Sequence, residues 1–350
     1  MTSISTSGQY LRMRSNNLDV QLRLTELRDQ VATQKKSTSY GGLGTDARVS
    51  ISVRADVAEY KSYLSNIDTA RLRLKSSVEA MERITKVAED IKIEITKLQS
   101  DPQADPAVVK GIAERAYEEL VGLFNTRVNG EYIFGGSDKA NPPLPSPNDR
   151  TLLNDIRADM NAAGATNPLN DPANAHDQTA IHAWTGIFSA NLEADRALAH
   201  VARVDRGVDL TYGVLATNGT PSAPGAPPDP LPFFREFLRE VAAIASLPTP
   251  TNATEKENLK QYLGSVTESL GTAVSSARNE IGIVGTTMAR MDAIAGRHKD
   301  LEVVLQRSIG DVEDVDLAEA ITRLQLTQTQ LEASFRATSS LNRTNLNDYL

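Results

Sequence analysis

One pattern limits what this chain can become. Between Asp46 and Gln99, Val53, Tyr60, Ile67, Leu74, Met81, Ala88 and Ile95 recur at every seventh residue. Tyr63, Ala70, Ser77, Ile84, Ile91 and Leu98 form a companion series, so the spacing alternates between three and four. Such a repeat puts one narrow apolar stripe along a single α-helix and asks for another helix to cover it. At 1.5 Å per residue, about 50 residues make a rod roughly 75–80 Å long. A second stretch of similar length, about Ala253 to Arg307, carries Leu263, Leu270, Ala277, Val284, Met291, His298 and Leu305 at the same spacing. Its companions Val266, Ala273, Ile281, Met288 and Ala295 change phase near Ala277, which reads as a stutter.

Both ends of the chain repeat the theme more weakly. At the N-terminus, Ile4, Leu11 and Leu18 are seven apart, as are Met13, Val20 and Leu27, and Leu24 with Val31. At the C-terminus, Leu317, Leu324, Leu331 and Thr338 alternate with Ile321, Gln328, Phe335 and Asn342. These stripes are narrow, and Ser, Thr, Gln and Asn fill much of the rest. A pair of such helices buries one thin seam, so each is expected to be marginal alone and to gain stability by packing on other subunits.

Between the helices lie breakers and irregular pieces. Gly41, Gly42 and Gly44 form a hinge after the first helix. Asp101-Pro102 and Asp105-Pro106 end the first long helix. A shorter helix is expected from Pro106 to Asn129, stopped by Asn129-Gly130, and Tyr132 to Phe134 reads as a hairpin arm. Residues 201–216 read as two short strands, with Val208, Leu210 and Tyr212 alternating. Phe233 to Leu247 reads as a helix with Phe237, Val241, Ile244 and Leu247 inward. Ser308, Gly310 and Asp311 are expected to break the second long helix. The acidic run Asp311–Asp316, with Asp316 and Glu319 as a D-x-x-E start signal, suits the N-terminus of the last one.

The fold class is therefore mainly α. Long antiparallel helices form a terminal coiled coil plus a helical-bundle rod, with a short β-hairpin region and a small irregular inserted domain. Residues 1–40 with 308–350 make a terminal-helix assembly domain, 41–140 with 200–307 a long-helix rod domain, and 141–199 a small outward insert. Aromatics are 5% of the sequence, so an aromatic-filled core is not expected. A net charge of −8 argues against sequence-independent nucleic-acid binding. No window is apolar enough to span a membrane. With no cysteine, disulfides, thiol catalysis and Cys-based metal sites are excluded.

No catalytic constellation emerges. Gly42 to Ala47 fits G-x-G-x-x-A, but the polar KKSTSY precedes it where a dinucleotide site needs an apolar strand. Asp311, Glu313, Asp314 and Asp316 lack the spacing and central glycine of a calcium loop. His176, His182 and His200 have no zinc-ligand spacing, and His298 falls on a heptad seam. No enzyme activity, cofactor or metal is expected.

Three stretches, LFNTRVNGEYIFGGS (Leu123–Ser137), ARNEIGIVG (Ala277–Gly285) and IGDVEDVDLAEAITRL (Ile309–Leu324), resemble the bacterial flagellin superfamily over residues 1–140 and 200–350. The stretch continuing to Pro143, with Tyr212-Gly213-Val214-Leu215-Ala216, is most similar to the hook-associated protein 3 branch, which forms the hook–filament junction. SYGGLGTDA at Ser39–Ala47 departs from the stretch usual after the first flagellin helix. The resemblance implies paired terminal helices that assemble into an inner tube with neighbouring subunits. It implies as partners other copies of the chain, hook-associated protein 1, flagellin, the flagellar type III export machinery and a chaperone. It also implies extracellular placement on the flagellum without a cleaved signal peptide. The assembly residues would be Ile4, Leu11, Leu18, Val20, Leu24 and Leu27 with Leu317, Ile321, Leu324, Leu331 and Phe335. A filament flagellin shares this layout. From a different class, a soluble coiled-coil adaptor or export chaperone shares the heptads but not the mirrored ends.

Overall fold

The computed structural model of the protein describes residues 3–101, 104–144, 153–154, 157–158, 160, 167–177, 199–216 and 233–347. Most of the expected 141–199 insert, with His182, lies outside them, and the side chains of Ile4 and His176 are not described. Helices dominate: α1 (Ser3–Thr33), α2 (Ala47–Ser100), α3 (Pro106–Phe124), α4 (Phe233–Ala245), α5 (Ala253–Glu313) and α6 (Leu317–Asn347). Two antiparallel hairpins complete the regular structure, β1 (Arg127–Val128) with β2 (Glu131–Tyr132) and β3 (His200–Asp205) with β4 (Val208–Tyr212). The mainly α fold with a small β region is as the periodicity predicts. The chain divides into two compact units: residues 1–62 with 297–350, and residues 63–296.

In the unit formed by residues 63–296, the expected α2 seam is buried at every position from Tyr63 to Leu98. The facing stretch of α5 runs antiparallel to α2. Arg71 Nε meets Asp292 at 2.7 Å, Arg278 meets Glu89, and Gln99 Nε2 donates to the Lys260 carbonyl at 3.0 Å. No stutter interrupts the α5 seam. Leu259, Leu263, Val266, Leu270, Ala273, Ala277, Glu280, Val284, Met291 and Ile294 are buried in unbroken three–four alternation, with half-buried Thr287 between Val284 and Met291. The expected phase change to Ile281 and Met288 followed apolar residues. The seam instead continues through the polar Glu280 and Thr287, and Ile281 and Met288 pack only at its margin.

The remaining core is more aromatic than composition suggests. Phe124 of α3, Phe134 after β2, and Phe234 of α4 meet edge to face, with centroids 4.8–6.1 Å apart. Phe233 and Phe237 adjoin them. Five of the seven phenylalanines thus gather where α3, α4 and the first hairpin converge. Pro106 opens α3, with the Asp105 side chain accepting from Ala107 N at 2.9 Å. The helix ends at Phe124, not Asn129. Asn129 (φ 54°) and Gly130 (φ 82°) instead form the two-residue turn between β1 and β2, because two successive positive φ values match the twist of a tight hairpin. In β4, Leu210 and Tyr212 point inward as expected, but Val208 is exposed.

The break after α1 falls at Gln34–Ser39 and leads through the 3-10 segment Tyr40–Asp46 into α2. Gly44 has φ 57° and ψ −124°, a backbone setting that side chains oppose, and a Cβ on Gly42 would lie 2.1 Å from Ser37 Oγ. Gly41 has open space around it. Gly44→Ala is expected to destabilise this segment by about 1–3 kcal/mol. A urea titration monitored by amide exchange in residues 34–46 checks the value, and Gly41→Ala serves as a near-neutral control.

Candidate assembly surface

In the unit formed by the chain ends, α1 and α6 pair antiparallel. Met13, Asn17, Val20, Leu24, Leu27 and Val31 of α1 turn inward, with Leu24 and Leu27 only 7% exposed. From α6 come Ala320, Leu324, Thr327, Leu331, Ser334 and Thr338. Both sets alternate by four and three, as a coiled-coil seam requires. Polar residues are tolerated there because their hydroxyls find partners. Thr327 and Thr338 donate to the carbonyls four residues back at 2.7 and 2.8 Å, and Ser334 donates to Asn17 Oδ1.

This seam includes only part of the expected assembly set. Val20, Leu24, Leu27, Leu324 and Leu331 lie in it. Leu11 and Leu18 remain 60% and 52% exposed, Leu22 70%, and Phe335 48%; Leu317 and Ile321 are also exposed. Ile321 and Phe335 each follow a seam residue, Ala320 or Ser334, by one position. Leu18 likewise follows Asn17. The Asn17–Ser334 hydrogen bond therefore brings Leu18 and Phe335 to one level of the pair. The terminal unit carries two apolar stripes, one buried within the chain and one facing solvent. Leu22, outside the expected set, belongs to the second.

The hinge side of this unit is held by charge. α5 continues through Ser308 and Gly310 to Glu313, so Asp311 and Glu313 close α5 and do not begin α6. Asp316 alone caps α6, accepting from Ala318 N at 2.9 Å and Glu319 N at 3.1 Å. Glu313 receives Arg54 Nε at 2.8 Å, Arg54 Nη2 at 2.6 Å and Ser50 Oγ at 2.5 Å. The two Arg54 bonds hold its carboxyl far below the ordinary range, to about 2. Burial opposes them, and Ser50 and Lys35 add to them. Also in this unit, His298 is a buried seam residue with its ring 5.0 Å from Tyr60.

A second polar cluster joins the NGEYIF stretch to the second hairpin. Buried Arg73 of α2 pairs with Glu131 of the NGEYIF stretch and lies 3.3 Å from the His200 ring, which packs on Tyr212. Burial, then the charges of Arg73 and Lys139, lower the His200 pKa to about 4, so the ring is neutral at pH 7. A Cβ on Gly213 would come within 3.2 Å of that ring. The cluster braces the two hairpins against α2. Among the described residues no group of His, Asp and Glu is placed to hold a metal ion, and no helix is long and apolar enough to cross a membrane.

The exposed stripe on α6 lies within residues 265–350, and this span matches the family model of the bacterial flagellin C-terminal helical region. This flagellin region takes in α6 and most of α5. Among solved structures, one described as a flagellar hook-associated protein from Vibrio parahaemolyticus matches with a TM-score of 0.50. It is 11% identical, and the match covers 77% of this chain and 97% of that one. At that identity the likeness is one of fold. No curated protein matches the chain significantly.

Proposed function

We infer that the protein is a structural subunit of the bacterial flagellum, and within it the hook–filament junction subunit of the hook-associated protein 3 type. The observation that carries this reading is the exposed apolar stripe Leu11, Leu18, Leu22, Ile321 and Phe335 on a helix pair whose own seam is already closed and whose α6 lies in the span that matches the flagellin C-terminal region. A second copy is a fitting occupant. The terminal unit, residues 1–62 and 297–350, contains equal numbers of basic and acidic residues. The net −8 therefore resides on residues 63–296, and neighbouring terminal units meet without net repulsion.

The likeness to a hook-associated protein fold and the GEYIFGGS hairpin favour the junction. In this reading residues 1–40 with 308–350 assemble, 41–140 with 200–307 form the next layer, and 141–199 face outward. Ile4 and the hinge glycines would serve the same assembly. Hook-associated protein 1 and flagellin are the neighbours along the axis. The type III export machinery, with a chaperone, delivers the subunit outside the cell without a cleaved signal. The match to a flagellin family model supports a second reading, the filament subunit itself.

Deletion of the gene separates them. The junction reading expects cells that still export filament subunits but shed them into the medium, leaving bare hooks. Bare hooks with no shed subunit would make this chain the flagellin.

A further inference from the structure

The end of α5 is poorly suited to be a helix end by its own sequence. Asp311 and Glu313 sit in its last turn, where the helix dipole disfavours negative charge, and no basic residue of that turn offsets them. The compensating cations come from other elements. Lys36 Nζ donates to the Asp311 and Val312 carbonyls at 3.0 and 2.7 Å. Lys35 Nζ reaches Asp314 at 2.5 Å and Glu313 at 3.5 Å, and Arg54 of α2 clasps Glu313 from the other side. The two linkers that flank the terminal pair are stitched together at the same point. Lys36 N donates to the Glu313 carbonyl at 2.7 Å, and Val315 N to the Gln34 carbonyl at 3.1 Å.

We propose that Glu313 is a proton-operated latch: ionised, it joins α2 to the two linkers and fixes the setting of the α1–α6 pair, and protonated, it lets both linkers loosen. Regulation of assembly by this latch rests on the function proposed above; the latch itself does not. The groups facing Glu313 are Arg54 and Ser50 from α2 and Lys35 from the first linker. Asp314 shares Lys35, Lys36 holds the Asp311 carbonyl beside it, and Tyr40 lies near Arg54. Asp314 has the single Lys35 contact, whereas Glu313 takes both Arg54 bonds and the Ser50 bond, so Glu313 dominates the response. The sign follows from its depressed pKa. The stabilisation is complete above the ordinary value of 4.5 and disappears as pH falls from there toward 2.

The Lys36 and Val315 amides report the latch directly. In the full chain, dilute and monomeric at pH 7, Glu313→Gln is expected to speed their hydrogen exchange by roughly ten- to a hundredfold, the scale of losing a charge-assisted pair. Wild type at pH 3, corrected for intrinsic exchange, should approach the variant. Arg54→Lys keeps the charge but loses two-point contact, so it should fall between them. Exchange in Glu313→Gln equal to wild type at pH 7 would overturn the proposal. Wholesale loss of helical circular dichroism would overturn it too, because Glu313 would then be part of the fold's foundation. Polymerisation is not read in this experiment, so failure of the assembly reading would leave its outcome intact.

Discussion

Phe335→Asp is expected to yield a chain that folds normally and does not assemble. Phe335 is about half exposed on α6 and outside the Leu24–Leu27–Leu324–Leu331 seam, so an aspartate there meets water in the monomer. In an assembly the same carboxylate would be buried against apolar neighbours without a partner, which is strongly unfavourable. Losing the phenylalanine alone forfeits about 1.5–3 kcal/mol of burial per copy. The critical concentration for polymerisation should therefore rise by at least roughly tenfold. Light scattering against concentration measures it, and unchanged circular dichroism confirms folding. Leu324→Asp is the instructive contrast. Leu324 faces α1, so that change should open the helix pair in the monomer as well. Polymerisation of Phe335→Asp at the wild-type concentration would remove the exposed stripe from the interface.

Phe234→Ala should produce the largest loss of stability. The ring is fully buried and touches Phe124 and Phe134 edge to face, and it also packs on its neighbour Phe233. Truncating a phenylalanine in such a core costs about 3–5 kcal/mol. That is a large share of the roughly 5–15 kcal/mol that holds a domain together. Urea titration read by the helical signal should show an earlier transition for the unit formed by residues 63–296. Val108→Ala, at an exposed position of α3, should leave that transition within about 0.5 kcal/mol of wild type. A loss below about 1 kcal/mol for Phe234→Ala would mean that the site closes around the missing ring.

Seven-residue spacing in the sequence marked both long helices, α2 to within a residue at each end. It misjudged the places where a seam uses small or polar side chains. On α5 the seam runs through the polar Glu280 and Thr287, and apolar Ile281 and Met288 beside them suggested a stutter. On α6 the same substitution occurs at Ala320, Thr327 and Ser334, and it drew attention to Ile321 and Phe335. Reading for apolarity finds stripes but cannot tell which of two adjacent stripes faces the partner helix. On α1 the two were mixed, so Leu11 and Leu18 stood beside Leu24 and Leu27 as one set. The Asn129-Gly130 pair was legible as a breaker. Its identity as a hairpin turn depended on Tyr132 and Arg127 pairing across it.

The sequence by itself determined what is local and periodic: mainly helical structure, long antiparallel partners, glycines where Gly42 and Gly44 allow the chain to turn, and Asp316 as a helix start. The heptad repeat and the capping residue act within a few turns, so they can be read without the rest of the chain. Only the tertiary structure decided which stripe is spent inside the molecule and which remains for others. It also decided that Asp311 and Glu313 close a helix, because the cations that permit this, Lys35, Lys36 and Arg54, lie more than 250 residues away in sequence. Charge compensation over such a separation exists only once the ends of the chain have been brought together.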